Sequence, residues 1–244
     1  MVDKSLATPL YEQIVKELRK EILSNTYGEH GAIGTHTQLA ERFSVSLITI
    51  RKAVQILEKE GLVDIRQGKG TFVRRTNLVD SLHNLTGISS IMSSYDVKTD
   101  VAVTKLEMCI TPDWLDDDVR EALGEYSLFI RRVVSVAGKP MAVAEMYLPG
   151  RFKGKFIKSE VEKATVYKIY QNKLGVSLGT GRQVICAAGA KGDVAKCLNL
   201  PENSPILLIK RKSYDIEKSL IEYMMLSYEA SAYSFEVELE LSKE

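Results

Sequence analysis

The stretch QLAERFSVSLITIRKAVQILEKEGLVDIRQGKGTFV, residues 38–73, decides how the N-terminal part of the chain is organised. Apolar residues recur at helical spacing on both sides of the short segment Ser44–Ser46, which predicts two helices joined by a tight turn. Gly61 is typical of a helix C-terminus. The residues after it alternate between apolar and polar around Gly68-Lys69-Gly70, which predicts a β-hairpin with a basic tip.

A further helix is predicted before this stretch, because apolar residues repeat there every four positions. These residues are Leu10, Ile14, Leu18 and Ile22. Thr8-Pro9 is expected to begin the helix, with the threonine as its N-cap. Residues 25–34 are rich in glycine and polar side chains and predict a loop. Thr35 and Gln38 have the spacing of a capping box, which marks the start of the next helix.

Three helices followed by a basic hairpin form the arrangement of a winged helix-turn-helix. Its third helix can enter the DNA major groove, about 12 Å wide, while the hairpin reaches the neighbouring backbone. Residues 40–75 carry eight basic and four acidic side chains, hence a charge of +4 (8 − 4), on a chain whose formal net charge is +1. Charge alone is weak support, and a helical subdomain that contacts protein remains the alternative at this point.

The composition is that of an ordinary soluble protein of 244 residues, a length that suits two domains. Apolar runs are far shorter than the ~20 residues needed to span a bilayer, and no signal-peptide core is visible near the N-terminus. The three cysteines (Cys109, Cys186 and Cys197) are widely separated and predict neither a metal site nor a disulfide set. We therefore expect a cytoplasmic protein with no membrane association, metal or cofactor.

From Leu85 onward, strand-like stretches joined by tight turns alternate with helical ones, which predicts an α+β domain on a mainly antiparallel sheet. The predicted strands are 101–110, 129–137, 141–147, 206–214, 220–228 and 235–241. The predicted helices are 112–123, 165–173 and 193–198. GTG at 179–181 is interpreted as a turn, and the polar residues 74–84 as a linker.

The segments PLYEQIVKELRKEIL, QLAERFSVS, TIRKAVQILEKEGLV and RQGKGTFV closely resemble the DNA-binding domain of the GntR family of bacterial transcription regulators. The rest of the chain resembles the UTRA effector-binding domain of the HutC branch, which shares its fold with chorismate lyase. Its motifs include Arg131-Arg132, Tyr147-Leu148-Pro149 and Thr165-Val166-Tyr167. The resemblance implies a winged helix-turn-helix over 1–75, a linker over 76–84 and a UTRA-like domain over 85–244.

The resemblance and the motifs together imply contacts to DNA from the second helix, the turn, the third helix and the hairpin tip. These residues are His36, Thr37, Ser44, Ser46, Leu47, Thr49, Arg51, Lys52, Gln67, Gly68, Lys69 and Gly70. Thr37 and Leu47 stand where the family usually has arginines that face DNA. Arginine is the usual bidentate partner of guanine, whereas leucine packs against thymine methyl groups. The family's usual operator is therefore not expected.

The resemblance also implies an effector site formed by Ser89, Arg132, Thr165, Tyr167, Glu222 and Tyr228. The sugar-phosphate-responsive members carry a second arginine where this chain has Val134, and a glutamate where it has Ala144. Arg131 and Glu145 should point to the opposite face, because neighbouring strand residues alternate. The alternatives remain open that Arg132 forms a structural ion pair, that Thr165 is only a helix cap and that Tyr228 is a core residue.

The predicted function is a DNA-binding transcription regulator, a homodimer on a palindromic operator, released by a small polar effector. The effector would be a sugar phosphate, an amino sugar or a small carboxylate. The alternatives are a ligand-independent or architectural DNA-binding protein and a lyase-like enzyme fused to a DNA-binding domain. The enzyme is disfavoured because the three histidines, His30, His36 and His83, all precede the second domain, so no histidine there can activate a cysteine.

Overall fold

The computed structural model describes residues 5–24, 26–28, 30–74, 78–81, 92, 97–231 and 233–236. Its contacts divide the chain into two compact units, one of which is Asp100–Ala230 and the other the described residues on either side of it. Within the described residues, no helix has both the length and the apolar composition to cross a membrane.

The N-terminal unit contains three helices and a small antiparallel sheet. The helices are α1 (Leu10–Leu23), α2 (His36–Phe43) and α3 (Leu47–Lys59). The strands are β1 (Ala32–Gly34), β2 (Val63–Arg66) and β3 (Gly70–Val73), in the order β1-β3-β2. The predicted helices and hairpin are confirmed. Strand β1 lies where a loop was predicted, because its residues pair with Phe72 and Thr71 of β3.

Side-chain caps fix the start of two of the three helices. The Thr35 hydroxyl accepts a hydrogen bond from the Gln38 backbone N–H, and the Gln38 amide oxygen accepts from the Thr35 N–H, at 3.2 and 2.8 Å. The predicted capping box is therefore confirmed. The predicted Thr8 cap is wrong, because α1 begins at Leu10 with Pro9 in the cap position and no side-chain cap bond.

The second unit is built on one six-stranded antiparallel sheet. Its strands are β5 (Asp100–Ile110), β6 (Tyr126–Val136), β7 (Lys139–Pro149), β8 (Leu178–Gly189), β9 (Pro205–Asp215) and β10 (Leu220–Glu229). Their order is β5-β6-β7-β10-β9-β8. The helices are α4 (Asp117–Leu123), α5 (Lys158–Lys163), α6 (Val166–Lys173) and α7 (Gly192–Leu198), with a 3-10 turn at Gly150–Phe152. The predicted α+β class and antiparallel sheet are confirmed.

Several local predictions for this unit are wrong. The GTG segment at 179–181 lies within the long edge strand β8, which the sequence analysis missed together with α5. Helix α4 begins at Asp117, five residues later than predicted. Within the predicted linker, Leu78–Ser81 forms strand β4 and pairs in parallel with β11 (Tyr233–Glu236).

Helices pack on both faces of the six-stranded sheet. Helix α4 packs its apolar side against Phe129, Tyr147 and Tyr223, and α7 packs against Val143 and Ile206 on the same face. Helix α6 lies on the opposite face, where the hydroxyl of its Tyr170 donates to the Ile221 carbonyl at 2.6 Å. We call this second face, which carries Arg132, Glu222 and Arg211, the α6 face.

Candidate functional site

The corner between α2 and α3 gathers predicted DNA-contacting residues into one open cleft of about 560 Å³. The lining residues that were predicted from the sequence are Thr37, Ser44, Ser46, Leu47 and Thr49. The Ser46 hydroxyl accepts a hydrogen bond from the Thr49 backbone N–H at 3.3 Å and thereby caps α3. At the exposed start of that helix, Leu47 and Ile48 retain 43% and 78% of their accessible surface, so apolar atoms face outward there.

The basic side chains on α3 differ in what they contact. Arg51 is exposed, and no described residue forms an ion pair with it. The Lys52 ammonium lies 3.6 Å from the centroid of the Tyr11 ring, so a cation–π contact holds it against α1. His36, the first residue of α2, is half-buried, and its Nε2 has no hydrogen-bond partner among the described residues.

The hairpin tip presents Gln67, Gly68 and Lys69 to solvent. The Lys69 backbone N–H donates to the Arg66 carbonyl at 2.9 Å and closes the turn. Gly70 has a φ of +114°, and a Cβ there would lie 3.2 Å from the Gly34 carbonyl oxygen, so this position favours glycine. The Lys69 ammonium forms no ion pair with any described residue.

A buried polar cluster lies on the α6 face, with Glu222 at its centre and only 1% exposed. The Tyr167 hydroxyl donates to Glu222 Oε1 at 3.0 Å, and the Ser213 hydroxyl donates to the same oxygen at 3.3 Å. Burial raises the pKa of the Glu222 carboxyl, although these two donors and two arginines oppose the rise. Burial also raises the pKa of Tyr167, so its hydroxyl remains a donor at neutral pH.

The two adjacent arginines on β6 face opposite sides of the sheet, as predicted. Arg131 forms ion pairs with Glu145 at 2.8 Å and Asp193 at 2.7 Å on the face that carries α7. Arg132 is on the α6 face, and its Nε is buried with no hydrogen-bond partner among the described residues. Burial lowers the pKa of Arg132, and Glu222 partly offsets this effect. In the described part of the chain, no carboxylate lies within ion-pair distance of Arg132, so the structural ion pair that the sequence left open is not seen there.

The remaining predicted effector residues differ in their surroundings. The exposed Thr165 caps α6 by accepting a hydrogen bond from the Lys168 N–H at 3.3 Å. Tyr228 is fully buried on the α6 face. Val134 and Ala144 are buried on the same face and bring no charge to it. Ser89 lies outside the described residues.

Two residues of the α6 face, Arg211 and Gln183, were not predicted from the sequence. Arg211 is only 4% exposed, and its Nε and one Nη donate to the Gln183 side-chain oxygen at 3.2 and 2.8 Å. Arg211 and Ser213 are two residues apart on β9, which places both side chains on the α6 face. That spacing of two polar residues within a strand is the sequence signal that could have identified them.

Comparison with known proteins matches both halves of the chain. Residues 10–73 match the family model of bacterial regulatory proteins, gntR family, and residues 94–234 match the UTRA domain. The HTH-type transcriptional regulator Rv0792c of Mycobacterium tuberculosis is 28% identical over 237 residues, which are 96% of this chain and 87% of that protein. The HTH-type transcriptional repressor NagR of Bacillus subtilis is 23% identical over 234 residues, 96% of each chain.

A solved structure shows the same fold. PhnF from Mycobacterium smegmatis superposes with a TM-score of 0.63 at 19% identity, over 94% of this chain and all of that chain. At this identity the likeness concerns the arrangement of helices and strands only.

We predict that Glu222→Gln changes how stability depends on pH. A carboxyl whose pKa is higher in the folded than in the unfolded state stabilises the folded state while it is protonated. This contribution to stability is complete below the unfolded pKa of about 4.3 and is lost as the pH rises through the folded pKa. Glutamine is neutral at every pH, so the variant should gain stability relative to the wild type between pH 4 and 8. Urea unfolding followed by emission of Trp114, the single tryptophan, measures this difference.

The matched control is Glu217→Gln, which makes the same change at an exposed carboxyl in the turn between β9 and β10. Its pH dependence should follow that of the wild type. If the free energies of unfolding of Glu222→Gln and the wild type change in parallel with pH over this range, the inference that burial raises the pKa of Glu222 is wrong.

Proposed function

This chain belongs to the gntR family of bacterial regulatory proteins and carries a UTRA domain, and on that basis we propose that it is a transcriptional repressor which a small polar effector releases from its operator. The family is one of transcription regulators, not enzymes, so the lyase-like alternative is set aside. The observation that carries the effector half of the proposal is the buried polar cluster around Glu222. NagR, which aligns with nearly the whole chain, is itself named a repressor.

The winged unit is proposed to read DNA through the start of α3 and the hairpin tip. The cleft at the α2–α3 corner offers hydroxyl groups from Thr37, Ser44 and Thr49 to phosphates. Leu47 and Ile48 are exposed and would pack against thymine methyl groups, while Arg51 would reach a base edge or an adjacent phosphate. The hairpin tip would add the Lys69 charge beside the neighbouring backbone.

A homodimer is proposed because one winged unit of this size covers only one half-site. Two half-sites held by a dimer give an affinity that exceeds that of either one alone. The six-stranded sheet ends in β5 and β8, whose outer edges could pair with a second copy. A bacterial regulator that acts on the chromosome would work in the cytoplasm.

Release from DNA is proposed to follow from thermodynamic linkage. An effector that prefers a dimer whose winged units are wrongly spaced for the operator must bind more weakly when DNA is present, and DNA must bind more weakly when the effector is present. The cluster on the α6 face supports a small polar effector, since Arg132 suits an anionic group and Glu222 suits a hydroxyl or an amine.

Selection from random DNA by the full chain is expected to return two-fold symmetric sites with thymine beneath the start of α3. Leu47→Arg should shift that position toward guanine, because arginine donates two hydrogen bonds to guanine O6 and N7. Sequencing the selected pools measures both results. Enrichment of single half-sites would contradict the dimer, and an unchanged preference in Leu47→Arg would contradict the proposed orientation of α3.

Lys69→Ala and Arg51→Ala should weaken DNA binding in different ways. The Lys69 variant loses one phosphate contact, so the slope of log K against log salt should decrease in magnitude by about 0.9 on every sequence. The Arg51 variant should discriminate less between operator variants. Fluorescence anisotropy at several salt concentrations measures both quantities, with Lys168→Ala, an exposed lysine of α6, as the control that should change neither. A change of sequence preference in Lys69→Ala would contradict the role of the hairpin tip.

A thermal-shift screen of sugar phosphates, amino sugars and small carboxylates is expected to give a ligand that also lowers affinity for the selected operator. Arg132→Ala should weaken that ligand by tenfold or more, because a buried charge-assisted hydrogen bond is worth about 1.5–3 kcal/mol. Arg182→Ala, the same change at an exposed arginine of β8, should leave its affinity unchanged. If the ligand binds Arg132→Ala as tightly as the wild type, the proposed effector site is wrong. If the ligand binds without lowering the affinity for DNA, the proposed release mechanism is wrong.

A further inference from the structure

Two arginines, not one, lie on the α6 face, Arg211 buried and Arg132 half-buried. Arg132 lies on β6, and its Nε has no hydrogen-bond partner among the described residues. Arg211 lies on β9, almost without solvent exposure, and donates twice to one oxygen of Gln183. The neutral amide fixes the orientation of the Arg211 guanidinium but does not balance its charge.

The carboxyl group that acts on both arginines is that of Glu222. No described acid lies within ion-pair distance of either guanidinium, and Glu222 acts on both from further away. Among the residues that the structure describes, two arginines and one carboxylate leave a charge of +1 (2 − 1) in the cluster even when Glu222 is ionised. Burial favours the neutral form of Glu222, which increases this excess. A buried excess of positive charge is costly unless an anion balances it.

The positions of the two arginines determine what kind of anion fits. The strand order β6-β7-β10-β9 separates the strands of Arg132 and Arg211 by three spacings, about 14 Å. Glu222 lies on β10, between the strands of the two arginines, and pairs with Ser213, two residues beyond Arg211 along β9. Val134, which shares the face of Arg132 two residues further along β6, is apolar. With their strands this far apart, the two arginines do not lie side by side as a pair that could grip one compact oxyanion.

We propose that Arg211 is the second cation of the effector site and that the effector is a dicarboxylate with a hydroxyl or amino group between its two carboxylates. One carboxylate binds Arg132, the other binds Arg211, and the central group donates to Glu222. Among the described residues, the hydrogen bonds to Glu222 both go to Oε1, which leaves Oε2 as the acceptor for the ligand. This inference rests on the proposed function, because it assigns the ligand of that same site.

Gln183 is a positioning residue in this assignment. Its oxygen holds the guanidinium of Arg211 in one orientation before the ligand arrives, which reduces the ordering that binding must bring about. Gln183 should therefore increase the affinity for ligands that reach Arg211 and leave the affinity for other ligands unchanged.

The test is titration calorimetry on the full chain with matched pairs of acids that differ in one carboxylate. The pairs are glucarate and gluconate, glutamate and glutamine, and 2-aminoadipate and norleucine, with glucose 6-phosphate and glucosamine 6-phosphate as phosphate probes. At least one diacid should bind tenfold or more tightly than its monoacid. Arg211→Met nearly keeps the side-chain volume and removes the charge. It should lower the affinity for that diacid to the affinity for its monoacid and leave the affinity for the monoacid unchanged.

Arg182→Met is the matched control, because Arg182 lies on the neighbouring strand, is exposed and points to the opposite face. It should leave both affinities unchanged. Should Arg211→Met fail to fold, as judged by Trp114 emission, Gln183→Ala replaces it and should weaken only the diacid, by severalfold. Binding of phosphate probes alone, no binding of any diacid, or an equal loss for diacid and monoacid in the variants would overturn the proposal.

Operator binding in the same samples separates this inference from the proposed function. A diacid that binds through Arg211 but leaves DNA affinity unchanged would overturn release by the effector and retain the ligand assignment. A ligand that releases DNA from the wild type and from Arg211→Met at the same concentration would overturn the assignment of Arg211. The proposed function as an effector-released repressor would stand.

Discussion

The alternation of side chains along the strands of the six-stranded sheet is the constraint on which the second unit depends. It sends Arg131 to one face, where Glu145 and Asp193 neutralise it and tie α7 to the sheet. It sends the next residue, Arg132, to the α6 face without such a partner among the described residues. One dipeptide thus supplies both a structural ion-pair network and a charge available to a ligand.

The two faces of the sheet differ in how their charged side chains are paired. On the face with α4 and α7, the buried Arg131 is paired with two carboxylates, and the half-buried Lys212 is paired with Asp116 and Asp118 at 2.9 and 2.8 Å. On the α6 face, Glu222 is the one carboxylate among the described residues that acts on both Arg132 and Arg211. A fold gains nothing from burying unpaired charge, so this imbalance favours a binding role over a structural one.

Local rules predicted the N-terminal unit well and the second unit less well. The capping box at Thr35 and the apolar spacing of α3 are local signals, so they could be identified without knowledge of the fold. Strand β1 depends on pairing with β3, and β8 on pairing with β9, neither of which leaves a clear periodicity in sequences rich in glycine and polar residues. Arg211 was missed although β9 was predicted as a strand, because its burial follows from the position of β9 within the sheet.

Few of the cations predicted to contact DNA are free among the described residues of the winged unit, and this supports the proposed dimer. Of the three cations predicted to contact DNA, Lys52 is already held over the Tyr11 ring. In addition, Thr37 and Leu47 are neutral residues at positions where the family usually has arginine. Arg51 and Lys69 remain free among the described residues. Each phosphate contact contributes about 0.9 to the salt slope, so one unit gains only a small electrostatic affinity. Apolar contacts from Leu47 and Ile48 would add selectivity but little attraction at long range, so tight binding would require the second tethered unit of the proposed dimer.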